Sequence, residues 1–145
     1  MPQNPPQGYP RIAPYLYYRD VAAALTWLSR AYGFKEKVRM PGPDGGIMHA
    51  EMELQDGIVM MGCPSPNYRN PKTLGEKTQS LYVYVDEVDK HYQQAKEAGA
   101  KIVEEPKDQF YGDRRYAAED PEGHLWYFAQ HVRDPSPEEM QQAPA

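Results

Sequence analysis

The chain has 145 residues, 40% hydrophobic and 26% charged, a balance that suits one soluble globular domain. Sixteen Lys and Arg against 21 Asp and Glu give a net charge of −5, with the cations spread along the chain, which argues against nucleic acid as the main partner and is compatible with a cationic or neutral small ligand. No apolar run approaches the roughly 18 residues of a membrane helix, "MPQNPPQGYP" has no apolar leader core, and the single Cys63 has no internal disulfide partner, so the expected location is a reducing cytoplasm.

Taken in chain order, residues 1–10 hold four prolines and are expected to be a disordered tail. A strand is predicted over 12–18 and a helix over 21–32, capped by Asp20 and stopped by Gly33, with Val21, Ala24, Leu25, Leu28 and Tyr32 as its apolar stripe. Strands follow near 35–40, at 47–55 after the "GPDGG" turn, and at 58–62 after Asp56-Gly57. Residues 62–79 are Pro- and polar-rich and read as a linker. Beyond it come a strand at 80–85, a helix at 88–98 capped by Asp86, with Val88, Tyr92 and Ala95 as its buried face, and strands near 101–105, 114–119 and 124–131. The segment 133–145, "RDPSPEEMQQAPA", reads as a second disordered tail, which leaves one domain at 11–132 with modules of about 11–62 and 79–132.

The two modules repeat one another. Gly33, Lys35 and Gly57 recur at an offset of 66 as Gly99, Lys101 and Gly123, and the opening strands "PYLYYRD" and "LYVYVDE" recur at 67. The order is βαβββ, twice, which predicts an α+β fold with mixed strand pairing and helices on the outside.

Alternation then sorts the strand side chains. Leu16 and Tyr18 oppose Tyr15 and Tyr17; Leu81 and Val83 oppose Tyr82 and Tyr84; Trp126 and Phe128 oppose Tyr127. The aliphatic side belongs under the helices, so Tyr15, Tyr17, Tyr82, Tyr84 and Tyr127 are expected to line a trough with Met61 as a flexible apolar neighbour. His49, Glu51 and Glu53 add polar groups to the same side, with Arg115 as the counterpart of His49. His49 and Glu51 are the candidate catalytic pair, able to act as a general base or to bind a ligand hydroxyl; a polar pair in a wet trough is the plainer reading. Likewise, the tyrosines can serve a ligand cavity or fill an interface between subunits. Three residues on one strand side span about 13 Å, so His49, Glu51 and Glu53 do not converge on a metal. Arg115 is a candidate anion holder, whereas Arg114 reads as a solvated charge, and His124 as a hydrogen-bonded structural residue.

The paired units, together with "GIMHAEMELQDGIVMMG" and above all the D-P-x-G turn of "DPEGHLW", resemble the vicinal oxygen chelate superfamily, which includes glyoxalase I, extradiol dioxygenases, fosfomycin resistance enzymes and bleomycin resistance proteins. "MHAEM" and "YGDR" are similar to its PhnB-like branch. The resemblance implies a cupped eight-stranded mixed sheet, a homodimer, and, in metal-dependent members, four ligand positions that fall here on Ala13, Met61, Ser80 and Tyr127. None is a good divalent-metal donor, and the neighbours Ile12, Pro14, Met60, Gln79, Leu81, Trp126 and Phe128 do not rescue the set. The expectation is therefore no metal and no cofactor, and a non-catalytic protein of the bleomycin-resistance type that binds an aromatic small molecule such as an antibiotic, without nucleic acid or membrane as partner. The alternatives are an enzyme of the same superfamily, metal-dependent or metal-free, and a cup filled by its own side chains that works through partners.

Overall fold

The computed structural model describes residues 1–142; the last three residues of the expected C-terminal tail lie outside them. The first module is β1 (Tyr15–Tyr17), α1 (Val21–Tyr32), β2 (Lys35–Pro41), β3 (Ile47–Leu54) and β4 (Gly57–Gly62). A short helix, α2 (Pro71–Leu74), interrupts the linker. The second module is β5 (Ser80–Tyr84), α3 (Val88–Glu97), β6 (Lys101–Asp108), β7 (Asp113–Glu119) and β8 (Leu125–His131), and α4 (Pro137–Gln141) follows. The eight strands form two four-stranded mixed sheets, ordered β1-β4-β3-β2 and β5-β8-β7-β6, with the helices outside them. In each sheet the first strand runs parallel to the last and the other pairs are antiparallel.

Local chemistry explains where α1 begins and ends. The Asp20 carboxylate accepts from Ala23 N at 3.0 Å, and Gly33 takes φ 80° while its N–H donates to Ser29 O at 3.1 Å. The start of α3 differs from expectation. Asp86 does not cap it; its carboxylate accepts from Gln55 instead, and the Gln130 side-chain oxygen accepts from Val88 N at 3.1 Å. The cap is thus supplied from β8, a tertiary solution that local sequence does not announce.

The buried stripes of both helices meet in one core. Leu25, Leu28 and Tyr32 of α1 and Val88, Tyr92 and Ala95 of α3 pack with Leu16, Tyr18, Ala50 and Met52 of the first sheet and Tyr116, Trp126 and Phe128 of the second. Tyr32 sits 4.6 Å from Phe128 and 5.4 Å from Trp126, ring centre to ring centre. Each such large side chain contributes about 1.5–3 kcal/mol on burial, so the modules hold each other mainly through this shared apolar volume. His91 of α3 is fixed inside it. Its Nε2–H donates to Tyr32 O at 2.8 Å, which leaves Nδ1 to accept from the Tyr116 hydroxyl at 2.6 Å.

The D-P-x-G turn is the polar half of the same joint. The buried Asp120 carboxylate accepts from the Tyr18 hydroxyl (2.6 Å), Trp126 Nε1 (3.1 Å), Glu122 N (3.1 Å) and His124 N (3.0 Å). Glu122 reaches back to the first module, accepting from Arg19 N at 2.7 Å and Asp20 N at 3.0 Å, and takes Asn70 Nδ2 of the linker at 2.8 Å. His124 Nε2 donates to Tyr17 O at 2.8 Å. Gly123 has φ +92°, and a Cβ there would lie 2.5 Å from Lys72 N, so α2 can lie against the turn only because this residue has no side chain.

Candidate functional site

With the helices and the core on one side of each sheet, the other side presents the tyrosines. Tyr15, Tyr17, Tyr82 and Tyr84 are 43%, 48%, 41% and 61% exposed, a large aromatic surface for one chain. The rings fall into two sets. Tyr15 and Tyr17 pack edge to face at 5.9 Å on the first sheet; Tyr82 packs on Tyr84 at 5.5 Å and stacks on Tyr127 at 6.0 Å on the second. Among the described residues, no ring contact joins one set to the other.

On the first sheet, β3 projects His49, Glu51 and Glu53, and β4 separates them from β1. The Glu51 carboxylate is 6% exposed; Oε2 lies 2.8 Å from His49 Nε2 and Oε1 accepts from the Tyr9 hydroxyl at 2.6 Å. Burial pushes this carboxyl up, but the hydrogen bonds from His49 and Tyr9 outweigh it and hold the group below its ordinary value. An ionised carboxylate only accepts, so His49 Nε2 carries a hydrogen, and Nδ1 accepts from the Tyr15 hydroxyl at 2.9 Å. Burial, then Tyr17 and Glu51, push the Tyr15 phenol up. A Cβ on Gly62 would meet the Tyr15 hydroxyl at 2.7 Å, so the bare backbone of β4 is what lets this phenol reach His49. Lys37 completes the cluster, 5.2 Å over the Tyr9 ring and 3.7 Å from Glu53.

On the second sheet the anchor is Asp113, 2% exposed. Its Oδ2 accepts from the hydroxyls of Tyr82 (2.7 Å) and Tyr84 (2.9 Å), and Oδ1 accepts from His131 Nδ1 at 2.7 Å. His131 Nε2 donates to Asp134 at 2.7 Å, so both ring nitrogens face carboxylates; the hydrogen bonds to Asp113 and then Asp134 push the imidazole up and favour its cationic form. Burial pushes the Asp113 carboxyl up, and the hydrogen bonds from His131, Tyr82 and Tyr84 bring it below its ordinary value. Arg115 lies 4.7 Å over the Tyr127 ring while donating to Tyr111 (3.0 Å) and Glu104 (3.1 Å). Arg114 is held at the surface by Asp89 and Asp108, each at 3.1 Å.

The structure therefore groups Tyr15, Tyr17, His49 and Glu51 on one face, and Tyr82, Tyr84, Tyr127 and Arg115 on the other. Met61 is a correction. It belongs to neither face: it pairs with Leu16 and Ala50, is fully buried in the core, and Met60 takes the place beside Tyr15 and Glu51. Tyr127 pairs with Tyr82 and Ala117 as Met60 pairs with Tyr15 and Glu51, so the turn before β4 is one residue shorter than the turn before β8, and Met60 is the counterpart of Tyr127. Tyr9, Tyr68, Tyr111 and Asp113 were not expected. Asp113 was recoverable, since it lies two residues before Arg115 and must share its face; Tyr9 and Tyr68 stand in Pro-rich segments without periodicity. Tyr68 packs edge to face on Tyr17 at 5.8 Å and, with Tyr15, Arg69 and Lys77, lines a cavity of about 450 Å³. A second groove of about 500 Å³ runs between the modules, from Ile12, Pro14 and Phe34 to Leu81, Tyr82 and Tyr84.

The residues do not fit a divalent metal. Correcting the register exchanges Met61 for Met60, and Ala13, Met60, Ser80 and Tyr127 still offer neither imidazole nor carboxylate. Among the described residues no three His, Cys, Asp or Glu side chains gather in a metal-binding geometry.

A family profile described as Glyoxalase/Bleomycin resistance protein/Dioxygenase superfamily matches residues 9–128. Uncharacterised proteins of Mycobacterium bovis and Mycobacterium tuberculosis are 34% identical over 139 residues, covering 92% of this chain and 91% and 82% of theirs. Among solved structures, TioX from Micromonospora sp. ML1 is 36% identical with a TM-score of 0.70, covering 83% of this chain and 98% of its own. The fosfomycin resistance protein FosX from Listeria monocytogenes shares the fold at 13% identity and a TM-score of 0.60, over 88% of this chain and 94% of its own.

Proposed function

This chain belongs to the glyoxalase/bleomycin resistance protein/dioxygenase superfamily, and on that premise we propose that it is a non-catalytic, cytoplasmic small-molecule binding protein of the bleomycin-resistance type, in its PhnB-like branch. Its ligand is a planar aromatic compound, cationic or neutral, of the antibiotic kind. The carrying observation is that exposed phenol rings on the sheet faces are locked in place by their own hydroxyls: Tyr15 on His49, Tyr82 and Tyr84 on Asp113. Rings fixed before a ligand arrives lose little freedom on binding, so their stacking energy appears as affinity. On the first face Glu51 and Glu53 stand against Lys37, which favours a cation over an anion there.

The faces look away from the shared core, so a second copy of the chain is the natural way to lay one face against the other, with ligand between them. The purified protein is expected to show tyrosine quenching and a raised melting temperature with a planar cationic dye such as ethidium or with bleomycin itself. Tyr82→Ala combined with Tyr127→Ala is expected to abolish both signals. If a broad panel of aromatic compounds gives neither signal, or the double variant responds as the parent does, the reading fails.

One observation favours an enzyme instead, namely the hydrogen-bonded series Glu51, His49, Tyr15. A metal-free reaction at that series is compatible with the fold; the donor set argues against one that runs through a bound metal.

A further inference from the structure

The two tyrosine faces are anchored by different chemistry. On the second sheet the phenols donate to a carboxylate, a geometry that holds them protonated. On the first, Tyr15 donates to the free ring nitrogen of a histidine whose other nitrogen is tied to a buried carboxylate. That is the order of nucleophile, base and orienting group in hydroxyl nucleophiles activated by a histidine and a carboxylate. We propose that Tyr15 is a nucleophile, activated by His49 as general base and positioned through Glu51, that takes the acyl group of a neutral aromatic ester or thioester. This rests on the enzyme reading of the Glu51, His49, Tyr15 series and stands against the non-catalytic one; labelling of Tyr15 and dye binding are separate signals, so either can fail without the other.

The distances suit the step. Tyr15 Oη lies 2.9 Å from His49 Nδ1, and His49 Nε2 lies 2.8 Å from Glu51 Oε2. As the bond from Tyr15 Oη to the acyl carbon forms and the bond to the leaving alcohol or thiol breaks, the phenolic proton passes to Nδ1. It then leaves to the departing group, and acyl-Tyr15 remains until water hydrolyses it. The imidazolium formed in between is stabilised by Glu51, which Tyr9 holds from behind at 2.6 Å. The charged and titratable groups facing His49 are Tyr15 on β1, Glu51 and Glu53 on its own strand, Lys37 on β2 and Tyr9 of the N-terminal segment. Around Tyr15, Lys37, Arg69 and Lys77 balance Glu51, Glu53 and Glu76, an environment without net charge that suits a neutral acyl donor.

The test uses p-nitrophenyl acetate with the full chain carrying Cys63→Ser, so that the exposed thiol takes no label. Release of p-nitrophenolate is followed, and the acetylated peptide is identified by mass spectrometry. Acetylation is expected on Tyr15, faster than on free N-acetyltyrosine amide. Tyr15→Phe, which removes the hydroxyl and keeps the ring, is expected to abolish that label while leaving the melting temperature near that of the parent. His49→Gln is expected to slow labelling about 10²-fold. Glu51→Gln is expected to slow labelling as His49→Gln does, with Glu51→Asp restoring part of the rate. Labelling of Tyr15 no faster than the free amide, or a rate unchanged by His49→Gln, overturns the proposal.

Discussion

Asp120 gathers four donors, two of them side chains from different modules, Tyr18 and Trp126. Replacing it with alanine strands all four in a buried joint, so Asp120→Ala is expected to destabilise the fold by about 3 kcal/mol or more, read from urea denaturation. Tyr32 predicts the opposite sign. Its ring is fully buried against Phe128 and Trp126, yet its hydroxyl finds no partner among the described residues, and burial pushes that phenol well up. Tyr32→Phe keeps the packing and deletes an unpaired polar atom, so it is expected to raise stability by about 1 kcal/mol in the same assay. Gly62 is a third residue whose effect runs through a neighbour. Gly62→Ala is expected to push the Tyr15 phenol off His49, visible as a change in the His49 ring-nitrogen NMR shifts, while the sheet itself stays folded.

At the scale of elements, α3 carries a pH dependence. Burial lowers the His91 imidazole below its ordinary value of 6.5, so the folded state holds it neutral while the unfolded chain protonates it. Its contribution is fully present above 6.5 and is lost as pH falls from there through the lower folded value. His91→Gln is therefore expected to flatten the fall in stability between neutrality and about pH 5, measured by denaturation at both ends. Glu51 and Asp113, both held below their ordinary values, act in the same direction at lower pH: their stabilisation is present once the unfolded carboxyl is ionised and disappears as acid reaches the folded values. Elements of this kind were largely legible. The period of two placed Tyr15, Tyr17, Tyr82, Tyr84 and Tyr127 opposite the core, and the Asp20 and Gly33 signals bounded α1, because these depend on neighbours within a turn or a strand. What was not legible depends on distant chain: the one-residue difference between turns that moved Met61 into the core, the Gln130 cap on α3, and Tyr9 folding onto Glu51.

For the whole molecule, the apolar faces of both sheets are spent on one shared core, and the aromatic faces are left outward. Light scattering is expected to return about twice the chain mass of 16.6 kDa, and Tyr17→Arg together with Tyr84→Arg is expected to shift the population toward single chains. The joint between modules has a practical corollary. Tyr32, Phe34, Trp126 and Phe128 interlock across it, Asp120 and Glu122 stitch it, and the covalent link between the halves runs through an exposed stretch around Ser65–Pro66. A chain severed there and expressed as two polypeptides should reassemble by complementation, each half supplying the hydrophobic surface that the other lacks, and so serve as a split reporter whose signal reads the health of that seam.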